Sequence, residues 1–182
     1  MRGIGMEQPM TTLVELEQRH LPFLDSLWKD PKVTCYTGIP SGGIDVYAWY
    51  ERYARTSNKH EGDTGHFMIY ADDTPIGETA YGMLPREFIF GSWSKDVKRP
   101  CALADIKLAT AHWGKGYATD AFMQLIDHVF TNTRAVDIIA LPHEANERAL
   151  RLYERCGLVS TGASNPYGML VFTITKEMWN DG

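Results

Sequence analysis

The run Ala-Asp-Ile-Lys-Leu-Ala-Thr-Ala-His-Trp-Gly-Lys-Gly-Tyr-Ala-Thr, residues 104–119, decides the fold. Ile106 and Leu108 alternate with polar neighbours as in a strand, a short turn follows, and Gly114 and Gly116 open a segment of helical period. Strand, glycine turn and helix in that order build an anion site. Glycine lets the backbone approach a ligand closely, and the first helical turn carries unpaired N–H groups at the positive end of the helix dipole. The natural guest is a phosphate or pyrophosphate. A nucleoside-triphosphate loop is excluded, because Gly116 is followed by Tyr117 and Ala118 where Lys and Ser or Thr are needed. The dinucleotide fingerprint fails for want of a third glycine.

Around this stretch the chain alternates strands and helices. Residues 12–17 alternate apolar and polar like a strand, and Leu21, Leu24, Leu27 and Trp28 recur at helical spacing up to Pro31. Residues 44–57 have helical period with Val46, Trp49, Tyr50 and Tyr53 on one broad face, a stripe that fits core better than a substrate wall. Residues 66–71 and 76–84 read as a hairpin, 101–108 as a central strand, and 118–129 as a helix burying Ala118, Ala121, Phe122, Leu125 and Val129. Residues 136–141 form a buried strand, 146–155 a helix stopped by Gly157, and 158–162 and 169–174 two closing strands. Residues 85–100, with Arg86, Trp93, Lys95, Lys98 and Arg99, show no periodicity and read as an irregular segment beside the acceptor.

Bulk properties narrow the class. A chain of 182 residues with 44% hydrophobic content makes one domain over 11–182 with residues 1–10 as a loose tail. A net charge of −5 argues against nucleic acid as the partner. Three cysteines without ligand spacing suggest a reduced, cytoplasmic protein with neither disulfide nor bound metal, and no apolar run is long enough for a signal peptide or a membrane span. The six histidines also lack ligand spacing.

The glycine turn then gains a closer likeness. Trp113-Gly114-Lys115-Gly116-Tyr117-Ala118 resembles the GNAT N-acetyltransferase signature Gln/Arg-x-x-Gly-x-Gly/Ala at every position but the first, where Trp113 replaces Gln or Arg. Downstream, Asn146, Ala149, Tyr153 and Gly157 resemble the family's second signature, Asn-x-x-Ala-x-x-x-Tyr-x-x-x-Gly. The resemblance covers most of residues 66–175 and looks closest to the aminoglycoside 6′-N-acetyltransferase and ribosomal-protein branch. It implies an α+β fold, a central mixed, mostly antiparallel sheet with flanking helices. It also implies acetyl-CoA as co-substrate, direct transfer to an amine, and a homodimer as a common assembly. The acceptor would be an aminoglycoside-like or other small polyamine, or else a peptide N-terminus or protein lysine; a non-catalytic acyl-CoA-binding module stays open.

The residue roles implied by the resemblance are specific. Amides from Trp113 through Gly114, Lys115, Gly116, Tyr117 and Ala118 to Thr119 would hold the pyrophosphate, with Lys115 adding charge at the rim. Asn146 would contact the pantetheine arm, the backbone N–H near Leu108 would face the thioester carbonyl beside a β-bulge, and Tyr153 would protonate the leaving sulfur. An amine attacks only when neutral, so a base is needed. Asp105 and Glu78 compete for that role. Asp105 has the opposite parity to Ile106 and Leu108 and so points to the other sheet face, and Glu78, following Ile76 and Gly77 in the hairpin strand, can reach the same cleft. If both face one cleft they would hold an ammonium between them. Cys156 beside Gly157 reads as packing rather than as an acyl carrier.

Overall fold

The computed structural model describes residues 10–57, 63–84, 87–90, 93–96 and 99–182, of which 56–57, 87–90 and 93–96 by backbone alone. The expected tail at residues 1–9, and Arg86 and Lys98, lie outside the described residues.

Strand β1 (Thr12–Glu15) leads into α1 (Leu21–Lys29), α2 (Pro31–Thr34) and α3 (Val46–Ser57). Strands β2 (Thr64–Ala71) and β3 (Thr74–Met83) follow as the expected hairpin, then β4 (Glu87–Phe90), β5 (Trp93–Asp96) and the central β6 (Cys101–Leu108). The remainder is α4 (Tyr117–Asn132), β7 (Asp137–Ala140), α5 (Glu147–Arg155), β8 (Val159–Ser164), β9 (Leu170–Thr175) and α6 (Lys176–Asp181). Seven strands make one sheet in the order β1-β2-β3-β6-β7-β9-β8, antiparallel except for the parallel pair β6–β7. The mixed, mostly antiparallel sheet is as the sequence implies.

Pleat parity sorts the central strands between two cores. Tyr81, Ala102 and Ala104 pack with Phe122, Leu125, Ile126 and Val129 of α4, the buried stripe of that helix. On the opposite face Met68 of β2 packs with Leu24, Leu27 and Trp28 of α1 and Val46 of α3. The aromatic stripe on α3 is core: the Trp49 ring lies 4.8 Å edge-on from Trp28 and 5.3 Å from Tyr53.

The segment 85–100 corrects the sequence reading. Residues 87–90 and 93–96 form an antiparallel pair, a two-stranded sheet of its own in which Phe90 faces Trp93 across two residues. Phe88, Ile89, Phe90 and Trp93 are strand formers flanking Gly91-Ser92, a hairpin signal masked by the clustered charges.

Candidate active site

The cleft begins where β6 and β7 part. They pair only at Cys101–Asp137, Ala102–Ile138 and Leu103–Ile139, so from Ala104 to Leu108 β6 has no strand partner on that side among the described residues. The pairing of β3 with β6 runs from Gly77–Leu108 to Met83–Ala102 without a register shift, so the early end of β7, not a bulge in that ladder, opens the gap. The peptide edge of Leu108 faces this gap. Ala109 N donates to Ile76 O of β3, and Trp113 Nε1 donates to Leu108 O at 2.8 Å on the other side. A residue's N–H and C=O leave a strand on the same side, so the Leu108 N–H points where an acyl oxygen needs a donor.

Below the gap the glycine turn takes the shape its sequence requires. Gly114 has φ 76° and Gly116, the N-cap of α4, φ 88°, a left-handed region that disfavours a side chain. Among the described residues, a Cβ on Gly114 would have no neighbour within 4 Å, and one on Gly116 would meet only the end of the Met10 side chain at 3.0 Å. The turn is thus open to a ligand. The first intrahelical bond, Asp120 N to Gly116 O, leaves the preceding amides without helical acceptors.

A cavity of about 460 Å³ joins the two features, with Leu108, Trp113, Gly114, Gly116, Ala118, Thr119 and Asn146 on its wall. Lys115 is exposed beside it; neither Lys115 nor Tyr117 lines it. Asn146 caps α5, its Oδ1 accepting from Ala149 N. Sequence reasoning missed the cations. Lys32, Lys107, Arg148, Arg151 and Arg155 line the cavity, and no Asp or Glu does among the described residues. The signal was present, since positions 148, 151 and 155 share one face of α5 with Ala149 and Leu152. Arg148 also stacks on the Trp113 ring, 3.8 Å from its centroid. Lys32 and the three arginines around a glycine turn suit a polyanionic ligand.

Glu78 and Asp105 share the α1–α3 face, Asp105 as its parity predicted, but a third group stands between them. Lys107, two residues after Asp105 and paired in register with Glu78, places Nζ 2.6 Å from Asp105 Oδ2 and 3.3 Å from Glu78 Oε1. The ammonium that the carboxylates hold is the chain's own. Glu78 is buried and accepts further hydrogen bonds from Trp28 Nε1 and His66 Nε2. Burial pushes its carboxyl up, but the Lys107 and His66 charges and the hydrogen bonds outweigh this and hold it below the usual range. Lys107 stays protonated: burial opposes its charge, and Asp105 and Glu78 overcome that. Glu78 does not line this cavity, whereas the Asp105 side chain is 54% exposed.

Tyr153 sits in the core, 5.1 Å ring to ring from Phe122 and 6.5 Å from Phe172, one helical turn beyond Ala149 and behind the cavity wall. Burial, then the charge of Asp105, raise its phenol above the ordinary value. Cys156 is buried and its thiol is pushed up to about 12 by burial, so it packs rather than attacks. Among the described residues no His, Cys, Asp and Glu cluster could hold a metal ion.

A splayed β6–β7 pair over a glycine-started helix is the site geometry that the two signatures imply. The family described as "Acetyltransferase (GNAT) domain" matches residues 11–159. The chain belongs to the GNAT acetyltransferase family. As a GNAT enzyme it is an acetyl-CoA-dependent acyltransferase. The uncharacterized N-acetyltransferase p20 of Bacillus licheniformis is 26% identical over 159 residues, 86% of this chain and 83% of that one. Among solved structures, the aminoglycoside acetyltransferase AAC(6′)-Ib in complex with coenzyme A superposes with a TM-score of 0.77 at 18% identity, covering 94% of this chain and 98% of that chain. The spermidine N-acetyltransferase of Vibrio cholerae, in complex with coenzyme A and spermine, superposes with a TM-score of 0.73 at 21% identity, covering 95% and 99%. At these identities the superpositions establish a shared GNAT fold. No helix among the described residues is long and apolar enough to cross a membrane.

Proposed function

We propose that this GNAT enzyme transfers acetyl from acetyl-CoA directly to a primary amine of a small acceptor bound on the α1–α3 face of the sheet. The observation that carries this reading is the meeting of two features at Leu108. Its inward-facing peptide edge lies on the cationic cavity, and Asp105, three residues earlier, opens on the opposite face. Acetyl-CoA supplies the activated acyl group. The amides of residues 114–119 and the arginines of α5 hold its phosphates, and Asn146 borders its arm. The Leu108 N–H donates to the carbonyl oxygen as charge builds there. Asp105 accepts the proton that the attacking ammonium must lose, and Tyr153 returns one to the sulfur. Glu78, buried with all its neighbours donating to it, positions Lys107 and Trp28 instead of acting as base.

Aminoglycoside-like and other small polyamines are the acceptor class suggested by the sequence, and the two solved structures named above are an aminoglycoside acetyltransferase and a spermidine N-acetyltransferase. An N-terminal or lysine amine is the second class, favoured by Lys107 already occupying the carboxylates. We place the enzyme in the cytoplasm, in keeping with three cysteines that form no disulfide. Thiol release from acetyl-CoA, followed against aminoglycosides, spermidine, alkylamines, lysine and short peptides, tests the reading. Turnover with one class supports it. Coenzyme binding without turnover on any of them, and on a whole-cell amine extract, overturns it in favour of a binding module.

A further inference from the structure

The position of Lys107 has a consequence for the acceptor's charge. Its ammonium bridges Asp105 and Glu78, so the three groups together carry one net negative charge where two bare carboxylates would carry two. Only Asp105 remains open, its side chain 54% exposed, while Glu78 is sealed by Trp28 and His66. The neighbouring cavity adds Lys32 and three arginines and no acidic side chain among the described residues. One incoming ammonium therefore finds the counter-charge of Asp105, and on the cavity side, among the described residues, a second finds only cations. At separations of a few ångströms and an effective dielectric of about 20, each such contact is worth a tenfold or larger change in affinity.

We propose that Lys107 is a specificity-determining residue that restricts the acceptor to a primary amine carrying a single positive charge. This rests on the acetyl-transfer reading and narrows it. The amine comes from a compact alkylamine or from the N-terminus of a peptide without nearby basic residues, and both offer the same chemistry to Asp105. A tethered ammonium at this place acts as a permanent internal competitor: it fills the position that the second amine of a diamine would take.

The test is calorimetric binding to the coenzyme A-loaded protein, with acetyl transfer measured in parallel. The probes are hexylamine, 1,6-diaminohexane, spermidine, and tetrapeptide amides with and without lysine. The wild type is expected to favour hexylamine over the diamine by about tenfold or more, and the alanine tetrapeptide over its lysine-containing counterpart. Lys107→Gln is expected to reverse that order, and Lys107→Arg, which keeps the charge, to retain it. If Lys107→Gln does not fold, the double variant Glu78→Gln with Lys107→Gln leaves no unpaired buried charge and carries the same test. An unchanged order in the charge-removed variant, a wild type that prefers the diamine, or no amine binding by either protein overturns the assignment of Lys107. Discriminating binding without transfer would instead overturn the acetyl-transfer reading and leave Lys107 as assigned.

Discussion

The guanidinium carbon of Arg148 stands 3.8 Å from the centroid of the Trp113 ring, clamping the N-terminal turn of α5 to the glycine turn ahead of α4. The same indole donates to Leu108 O, so one side chain ties together the strand, the glycine turn and the helix that wall the cavity. A cation over an indole contributes about 0.5–2 kcal/mol. Arg148→Ala should therefore weaken coenzyme A binding by roughly two- to thirtyfold, as read by calorimetry. Trp113→Ala should cost more, because it also frees the Leu108 peptide edge. Wild-type affinity in both variants would show that the clamp does not shape the site.

The glycine turn allows strain and ligand conflict to be separated. Gly114 has φ 76° and open space where a Cβ would stand. Gly114→Ala is expected to lose about 1–2 kcal/mol of stability to left-handed strain alone. Gly116→Val adds a branched side chain facing the space over the helix N-terminus, where only the flexible end of Met10 lies. Thermal melting with and without coenzyme A tells the two effects apart. Strain lowers both curves equally, whereas a blocked phosphate site abolishes the coenzyme-induced shift. Gly116→Val should abolish it; a full shift in that variant would remove the turn from the coenzyme site.

Much of this arrangement was legible before any coordinates, because it depends on local patterns. Ile106 and Leu108 set the pleat, Gly114 and Gly116 mark the turn, and parity alone sent Asp105 to the opposite face. What escaped was produced by neighbours distant in sequence. Lys107 shares the parity of Asp105, yet only its register with Glu78 makes it a bridge, and register is fixed by tertiary pairing. The end of the β6–β7 pairing at Leu103–Ile139, which opens the cleft, has no counterpart in the residues of β6. The hairpin of β4 and β5 and the terminal α6 (Lys176–Asp181) were missed because charges obscured two short elements.

Glu78 couples the site to the stability of the sheet. Its folded pKa lies below the unfolded one, so the ionised carboxylate adds stability that is fully present above about pH 4.3 and is lost as the pH falls through the folded value. Removing one partner of a buried ion pair costs roughly 3–5 kcal/mol. Asp105 still holds Lys107 in Glu78→Gln, which places the expected loss at the low end of that range near pH 7. Urea unfolding at several pH values should show the gap between wild type and variant closing below pH 4. A gap that is independent of pH would mean that Glu78 is not the charged anchor of Trp28, His66 and Lys107.

Tyr153 provides the sharpest test of chemistry against packing. Burial and the Asp105 charge raise its pKa, so the phenol stays protonated throughout the ordinary assay range and could act only as a proton donor, not as a base. Tyr153→Phe keeps the ring between Phe122 and Phe172 and removes only the proton. Turnover should fall by at least about tenfold, toward the 10²–10⁴ that a positioned acid contributes. Coenzyme affinity should hold, since the phenol's proton is called on only when the thiolate forms. The alkaline limb of the wild-type pH–rate profile, if any appears below about pH 10, should persist in the variant, because Tyr153 does not ionise there. Cys156→Ala is the control: its thiol is buried and pushed up to about 12, so turnover should not change. Unchanged turnover in Tyr153→Phe would leave the tyrosine a core residue and assign protonation of the sulfur to solvent.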